Sequence, residues 1–232
     1  MLPKTKTRLF VLLFWLSGCS TTKPVDLGYQ YLNVKYQINP LGEEKFPDTD
    51  PLIRFDAFDC TTFVETVLAN GDKEKLTKIR YKDGEVDFIN RNHFMETDWI
   101  PNNKFKNVSH LYGKTNIRHI VIDKKSWVKH VYNTDINFDK QSADIEYIPY
   151  ENLSKIDIQT PLIVLFIHDG DGFYKKIGTD LAVVHMGFLL PGNVLRHASR
   201  TRGSVVDVDF EEYINKRKKN KHNLGITLVK IK

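Results

Sequence analysis

The chain has 232 residues, with 34 Lys and Arg against 29 Asp and Glu, 41% hydrophobic residues and two cysteines. That suits one substantial domain, or at most two small ones, and excludes wholesale disorder, collagen and a long coiled coil. Two cysteines cannot build a disulfide scaffold and are too few for a Cys-based zinc centre, while the formal charge of +5 raises nucleic acid as a ligand only until the N-terminus is read.

Lys4, Lys6 and Arg8 precede an unbroken apolar run from Leu9 to Leu16, followed by Ser17, Gly18 and Cys19. This is the layout of an export signal, too short to span a bilayer. Leu16-Ser17-Gly18-Cys19 resembles the bacterial lipobox, whose cysteine is diacylated and becomes the first residue of the mature chain. On that reading residues 1–18 are a signal peptide, Cys19 is the lipidation site, residues 19–28 are the lipidated cysteine and its tether, and residues 29–232 are the working domain. Two acyl chains make a far firmer membrane anchor than one. Losing the signal removes three cations and no acid, so the charge falls from +5 to +2 and the case for nucleic acid falls with it. Ser20 follows the cysteine where Asp would signal otherwise. In the lipoprotein sorting pattern this resembles, that implies an exported protein on the outer membrane, facing the periplasm of a Gram-negative host.

Downstream, Tyr29 to Ile38 reads as partly extended, and Asn39 to Gly42 and Pro47 to Pro51 as turns. The segment Cys60 to Asn70 is a helix, with Phe63, Val64, Val67 and Leu68 on one face, Asp59 at the N-cap and Asn70-Gly71 at the stop. Lys73 to Tyr81 predicts a second helix ending at Asp83-Gly84. Arg118 to Asp123 reads as a strand and Ser126-Trp127 as irregular, in a middle section (85–160) with mixed signals. Leu162 to Ile167 is a buried strand, and Asp169 to Gly172 a turn without the spacing of a calcium loop. Ala182 to Leu189 and Asn193 to Ser199 form a hairpin about Leu190-Pro191-Gly192. Phe210 to Lys219 is a helix whose basic end, running on to Lys221, reads as a solvated terminus. Ile226 to Ile231 is a closing strand. Helices followed by late antiparallel strands make the fold class α+β.

A cysteine just inside a helix N-terminus feels open N–H groups and the positive end of the dipole, which lower a thiol pKa and activate the nucleophile. Cys60 has that placement, and a structural cysteine is the competing reading. A thiol nucleophile needs an imidazole base and a group to orient it. A three-residue loop centred on Pro191 sets His185 opposite His197 on one face of the hairpin, with Cβ atoms about 4.5–5.5 Å apart. That pair could form base and orienter.

The run Asp59-Cys60-Thr61-Thr62-Phe63-Val64-Glu65-Thr66-Val67-Leu68-Ala69 resembles the nucleophile helix of the DUF1460 branch of the NlpC/P60 papain-like superfamily, the N-acetylmuramoyl-L-alanine amidase-like proteins. Arg91-Asn92-His93-Phe94 with Asp98-Trp99-Ile100 and Asn103 looks like that branch's second motif, with Phe94 where Tyr is usual. His185-Met186-Gly187 and Leu195 to Ser199 look like its histidine motifs, and Tyr36 with Pro40 to Glu43 is similar to the stretch before its nucleophile. The resemblance covers about residues 35–200, and residues 104–160 carry no motif.

The resemblance implies a papain-like fold with the nucleophile helix packed on an antiparallel sheet. It implies an amidase that cuts the bond between N-acetylmuramic acid and L-alanine in peptidoglycan fragments through an acyl-enzyme. Cys60 is then the nucleophile, His185 the general base and later acid, and His197 the residue that holds His185. Asp59, Arg91, His93, Trp99 and Tyr36 become candidates for substrate contact, Arg91 for a carboxylate and Trp99 for a sugar face. The expected partners are a peptidoglycan or muropeptide substrate and the membrane. No metal, cofactor or nucleic acid is expected, and the chain is expected to be a monomer. A stem-peptide endopeptidase cutting D-Glu–diamino-acid bonds and a non-catalytic wall-binding lipoprotein are the alternatives.

Overall fold

A computed structural model describes residues 27–41, 53–153 and 156–232. The signal peptide, Cys19, the tether up to residue 26, Gly42, Glu43 and the turn at 47–51 lie outside the described residues.

The described chain runs β1 (Lys35–Tyr36), β2 (Ala57–Phe58), α1 (Cys60–Ala69), α2 (Lys73–Arg80), α3 (Ile100–Asn102), β3 (Lys106–Asn107), β4 (Asn116–Ile122), α4 (Lys124–Tyr132), β5 (Gln141–Pro149), β6 (Leu162–His168), α5 (Phe173–Ile177), β7 (Val183–Leu190), β8 (Val194–Ser199), β9 (Ser204–Asp209), α6 (Phe210–Arg217) and β10 (Asn223–Lys230). The strands form one sheet in the order β2-β1-β9-β8-β7-β6-β10-β5-β4, with β3 also on β10. All pairings are antiparallel except β1 with β2. The class is therefore mixed α and β with a large, mostly antiparallel sheet, as the order of elements in the sequence predicts.

Both faces of the sheet centre are covered. Along β6, Ile163, Leu165 and Ile167 join the core that includes Phe63 and Val64 of α1. Leu162, Val164 and Phe166 join the core that includes Phe210 and Ile214 of α6. A strand alternating between two cores must be apolar at every position, which is why Leu162–Ile167 carries no polar residue. A fully buried Leu or Ile side chain contributes about 1.5–3 kcal/mol, so this strand alone is a large share of what holds the two layers together.

Helix α1 starts where expected. Asp59 accepts from the Thr62 amide at 2.8 Å, while the Thr62 hydroxyl takes the Asp59 amide at 3.0 Å, closing a capping box. Asn70 ends the helix at φ 54°. Ser126-Trp127 departs from expectation: it lies inside α4, started by Asp123 accepting from the Ser126 amide at 2.9 Å. β5 and β9 carry no signal noted above.

The β7–β8 hairpin forms with a different register. Phe188 pairs with Arg196 and Leu190 with Val194, two residues out of step with a His185–His197 pair. The loop is Pro191-Gly192-Asn193, centred on Gly192, because Gly192 (φ 81°) and Asn193 (φ 64°) take the left-handed positions that Pro191 cannot. A shift of two residues preserves the face, so both histidines still point the same way.

Candidate active site

Three elements meet at one cleft of about 640 Å³: the N-terminus of α1, the inner strands β7 and β8, and α6. Cys60, His185, His197 and Tyr36 all line it. His185 Nε2 lies 2.7 Å from His197 Nδ1, with the rings edge to face at 4.9 Å. Gly187 makes this possible. It sits against His197, where a Cβ would come within 2.8 Å of the His197 Cβ. His185 therefore approaches His197 diagonally, over a position with no side chain.

Tyr213 of α6 packs edge-on against His197 at 5.0 Å and lies near His185 at 6.2 Å, while Phe166 lies against His185 at 5.5 Å. The surrounding protein holds both imidazoles neutral. Burial drives His185 well below its usual value, with the His197 and Arg217 charges adding to this. Burial and then Arg217 bring His197 down to about 4.

The thiol departs from the expected activation. Cys60 opens onto the cleft, yet the atoms packed about its sulfur push the thiol up to about 12, with Asp59 adding to the rise. The Met186 backbone N–H and the Thr61 side chain hydrogen-bond the sulfur and pull the other way without winning. Desolvation outweighs the helix terminus here, so the resting pair is a neutral thiol and a neutral imidazole. Tyr36 is likewise raised, by burial first and then by Cys60 and Asp59, so its phenol keeps its proton at neutral pH.

A family model described as AmiA-like, N-acetylmuramoyl-L-alanine amidase-like, matches residues 26–226. The chain belongs to this amidase-like family. Among solved structures it is similar to a DUF1460 protein of Legionella pneumophila, with 25% identity, a TM-score of 0.77, and coverage of 88% of this chain and 86% of that one. It is also similar to an N-acetylmuramoyl-L-alanine amidase of Bacteroides uniformis, with 25% identity, a TM-score of 0.70, and coverage of 90% and 97%. No curated protein sequence matches.

The remaining predicted residues of this amidase-like chain divide sharply. Asp59 caps α1, and burial raises its pKa against the bonds from Thr62 and the charge of Arg91. Trp99 is fully buried, donates Nε1 to Glu65 Oε1 at 3.0 Å and stacks on Phe105 at 4.5 Å. It is a core residue and offers no face to a sugar. His93 bonds the Phe88 carbonyl at 2.7 Å and packs against Phe88 and Trp127, and burial takes it down to about 3. It too stands outside the cleft. Arg91 lies by Tyr81, 5.7 Å from the ring, and its charge acts on Asp59 and on Glu65, whose buried carboxyl rises to about 8. Of the second motif, His93 and Trp99 therefore belong to the scaffold behind α1, and Arg91 is not among the residues that line the cleft.

In its place the cleft wall comes from α6 and the turn after β8. Arg200, Arg202, Tyr213, Lys216 and Arg217 line it, so the basic end of α6 is part of the cleft. One available signal was that the turn Arg200 to Gly203 directly follows His197. Among the described residues no three His, Cys, Asp or Glu side chains converge to hold a metal ion.

Proposed function

We propose that the protein is a cysteine amidase that hydrolyses the N-acetylmuramoyl-L-alanine bond of peptidoglycan fragments. The observation that carries this reading is the 2.7 Å contact between His185 Nε2 and His197 Nδ1 beside Cys60 in one cleft, in a chain of the amidase-like family. With Nε2 engaged by His197, His185 Nδ1 is the nitrogen left for the thiol. His185 takes the Cys60 proton as the sulfur attacks the lactyl carbonyl, and His197 Nδ1 accepts from the Nε2–H and steadies the imidazolium. The high thiol pKa favours proton removal during attack over a standing thiolate. The oxyanion meets the Cys60 amide, a first-turn N–H that α1 leaves open, and the protonated Tyr36 hydroxyl on the same wall. His185 returns its proton to the leaving amine of L-alanine, and water then releases the acyl group from sulfur.

On this proposal the chain works in the papain-like NlpC/P60 manner, as a lipoprotein held through Cys19 at the outer membrane and facing the periplasm. The mature chain is incubated with defined muropeptides and the products are weighed by mass spectrometry. Free stem peptide beginning at L-alanine is expected. Cleavage within the stem peptide would replace the amidase with the endopeptidase reading, and an inert protein whose cellular effect survives Cys60→Ala would replace it with wall binding.

A further inference from the structure

Arg217, in the last turn of α6, is immobilised without being neutralised. Its guanidinium lies 4.8 Å from the Phe166 ring and 5.8 Å from the Tyr213 ring. Nε donates to the Tyr150 hydroxyl at 3.2 Å, Nη1 to the Tyr213 hydroxyl at 3.5 Å, and Nη2 to Asn223 Oδ1 at 3.1 Å. Every one of these partners is neutral. The carboxylates of the same wall are committed elsewhere: Glu212 to Lys216 at 2.5 Å, and Asp209 to the Glu212 amide and the Asn193 side chain. Arginine has five N–H donors and stays charged at any working pH. Three are used, which leaves one on each terminal nitrogen.

From this geometry, and resting on the amidase reading, we infer that Arg217 is the receptor for a free carboxylate on the substrate's peptide side, so that the enzyme selects unamidated over amidated stem peptides. Two spare N–H donors on one guanidinium suit a carboxylate's two oxygens, and the neutral cage holds the group in place on the cleft wall in advance. Its reach is short, since Tyr213 lies against both Arg217 and His197 (5.8 Å guanidinium to ring, 5.0 Å ring to ring). At about 3.3–3.6 Å per extended residue, a carboxylate two or three residues beyond the scissile amide spans that gap. Arg200 and Arg202, exposed on the same cleft, reinforce the preference for an anion. A bound carboxylate also has an electrostatic consequence. Arg217 depresses both His185 and His197, so an anion beside it relieves that effect and strengthens the base when the right substrate is present.

The test compares N-acetylmuramoyl-L-alanyl-D-glutamic acid with its diamide. Wild-type enzyme is expected to favour the free acid in kcat/KM by about 10- to 100-fold, the range of a charge-assisted bond. Arg217→Gln should bring the acid-to-diamide ratio of kcat/KM down to about one, whatever it does to the absolute rates, and Arg217→Lys should recover part of the preference. Equal rates on both substrates in the wild type, or an equal loss on both in Arg217→Gln, overturns the inference. If neither substrate is cut, the amidase reading has failed, and calorimetry with Cys60→Ala protein and L-alanyl-D-glutamate against its diamide decides the Arg217 question alone. Tighter binding of the acid, lost in the Cys60→Ala/Arg217→Gln double variant, supports the receptor; equal binding, or none, overturns it. A melting curve of Arg217→Gln accompanies each arm. If that variant melts out, Arg217→Lys and the wild-type acid–diamide comparison carry the decision.

Discussion

Gly187→Ala probes the feature that lets the two histidines meet. A Cβ on this residue would stand 2.7 Å from the Arg196 carbonyl oxygen, 2.8 Å from the His197 Cβ and 3.2 Å from Leu195 Cδ1, whereas ordinary contact begins near 3.4 Å. Two of the three atoms are backbone or bonded to it, so a change of rotamer gives no relief, and β7 and β8 must part by about 0.7 Å. Overpacking of this kind costs about 1–3 kcal/mol. In a domain of this size each kcal/mol lowers Tm by about 2–4 °C, so a fall of roughly 2–12 °C is expected. On the proposed mechanism the larger effect falls on chemistry. A catalytic group displaced by a sizeable fraction of an ångström costs up to about 100-fold in kcat, with KM little changed. Gly192→Ala is the control: nothing lies within 4 Å of its Cβ, and its φ of 81° costs about 1 kcal/mol of strain without touching the site. Calorimetric melting and steady-state hydrolysis of a muropeptide measure both quantities. A Gly187→Ala enzyme with unchanged kcat would show that the histidines do not need this approach, and the reasoning would be wrong.

The other expectations concern the thiol, the cap and the scaffold. Iodoacetamide should react with Cys60 ever faster as pH rises past 9, with no plateau below about pH 11, because the folded protein holds the thiol near 12; a plateau at or below pH 9 would restore a standing thiolate. The sign for stability follows from the same shift: the folded state keeps a proton that the unfolded chain loses, so this contribution is intact below pH 9 and fades between 9 and 12. His93 has the opposite sign. Its folded pKa of about 3 lies below the ordinary 6.5, so its contribution is complete above pH 6.5 and fades as pH falls towards 3. The stability difference between pH 7 and pH 4, by urea denaturation, should shrink in His93→Asn, and an unchanged difference would remove His93 from the account. Trp99→Phe strips Glu65 of its donor and should cost about 1–3 kcal/mol with KM unmoved, whereas a large KM change at unchanged stability would make Trp99 a substrate contact. Asp59→Ala should lose about 0.5–2 kcal/mol of stability with the capping box, read by urea denaturation; no loss would mean that the box is ornamental.

The local chemistry of α1 was legible because every signal agreed: Asp59 and Thr62 at one end, Asn70 at the other and an apolar face between. The hairpin was legible in its strands and its parity, but its register turned on which loop residues accept left-handed backbone, which strand patterns alone do not settle. That His93 and Trp99 pack behind the helix was not legible, for a different reason. A motif shows that residues matter together; it does not distinguish a cleft from the scaffold behind a helix. Trp99 answers to Glu65, 34 positions away, and that contact has no local trace. Arg217 was hidden by its neighbours. Inside a run of basic residues it reads as solvated, and only the fold shows that Phe166, Tyr150 and Asn223 close around it.

The last strand of the chain is also one of the innermost. β10 lies between β6 and β5, pairing with β6 from Asn223 to Lys230 and with β5 through Gly225 and Ile226. Until those residues are available, β6 has a bare edge and the β4–β5 pair has nothing to join. The sheet closes last at its middle, a pairing of long sequence separation and therefore slow. A sheet built this way stays unfinished until β10 has been made, and the cleft that depends on it stays unformed with it. β10 acts as a latch on timing: the cleft is framed only after Asn223 to Lys230 have joined β6 and β5, and a chain lacking that strand carries Cys60 but not the sheet that frames it.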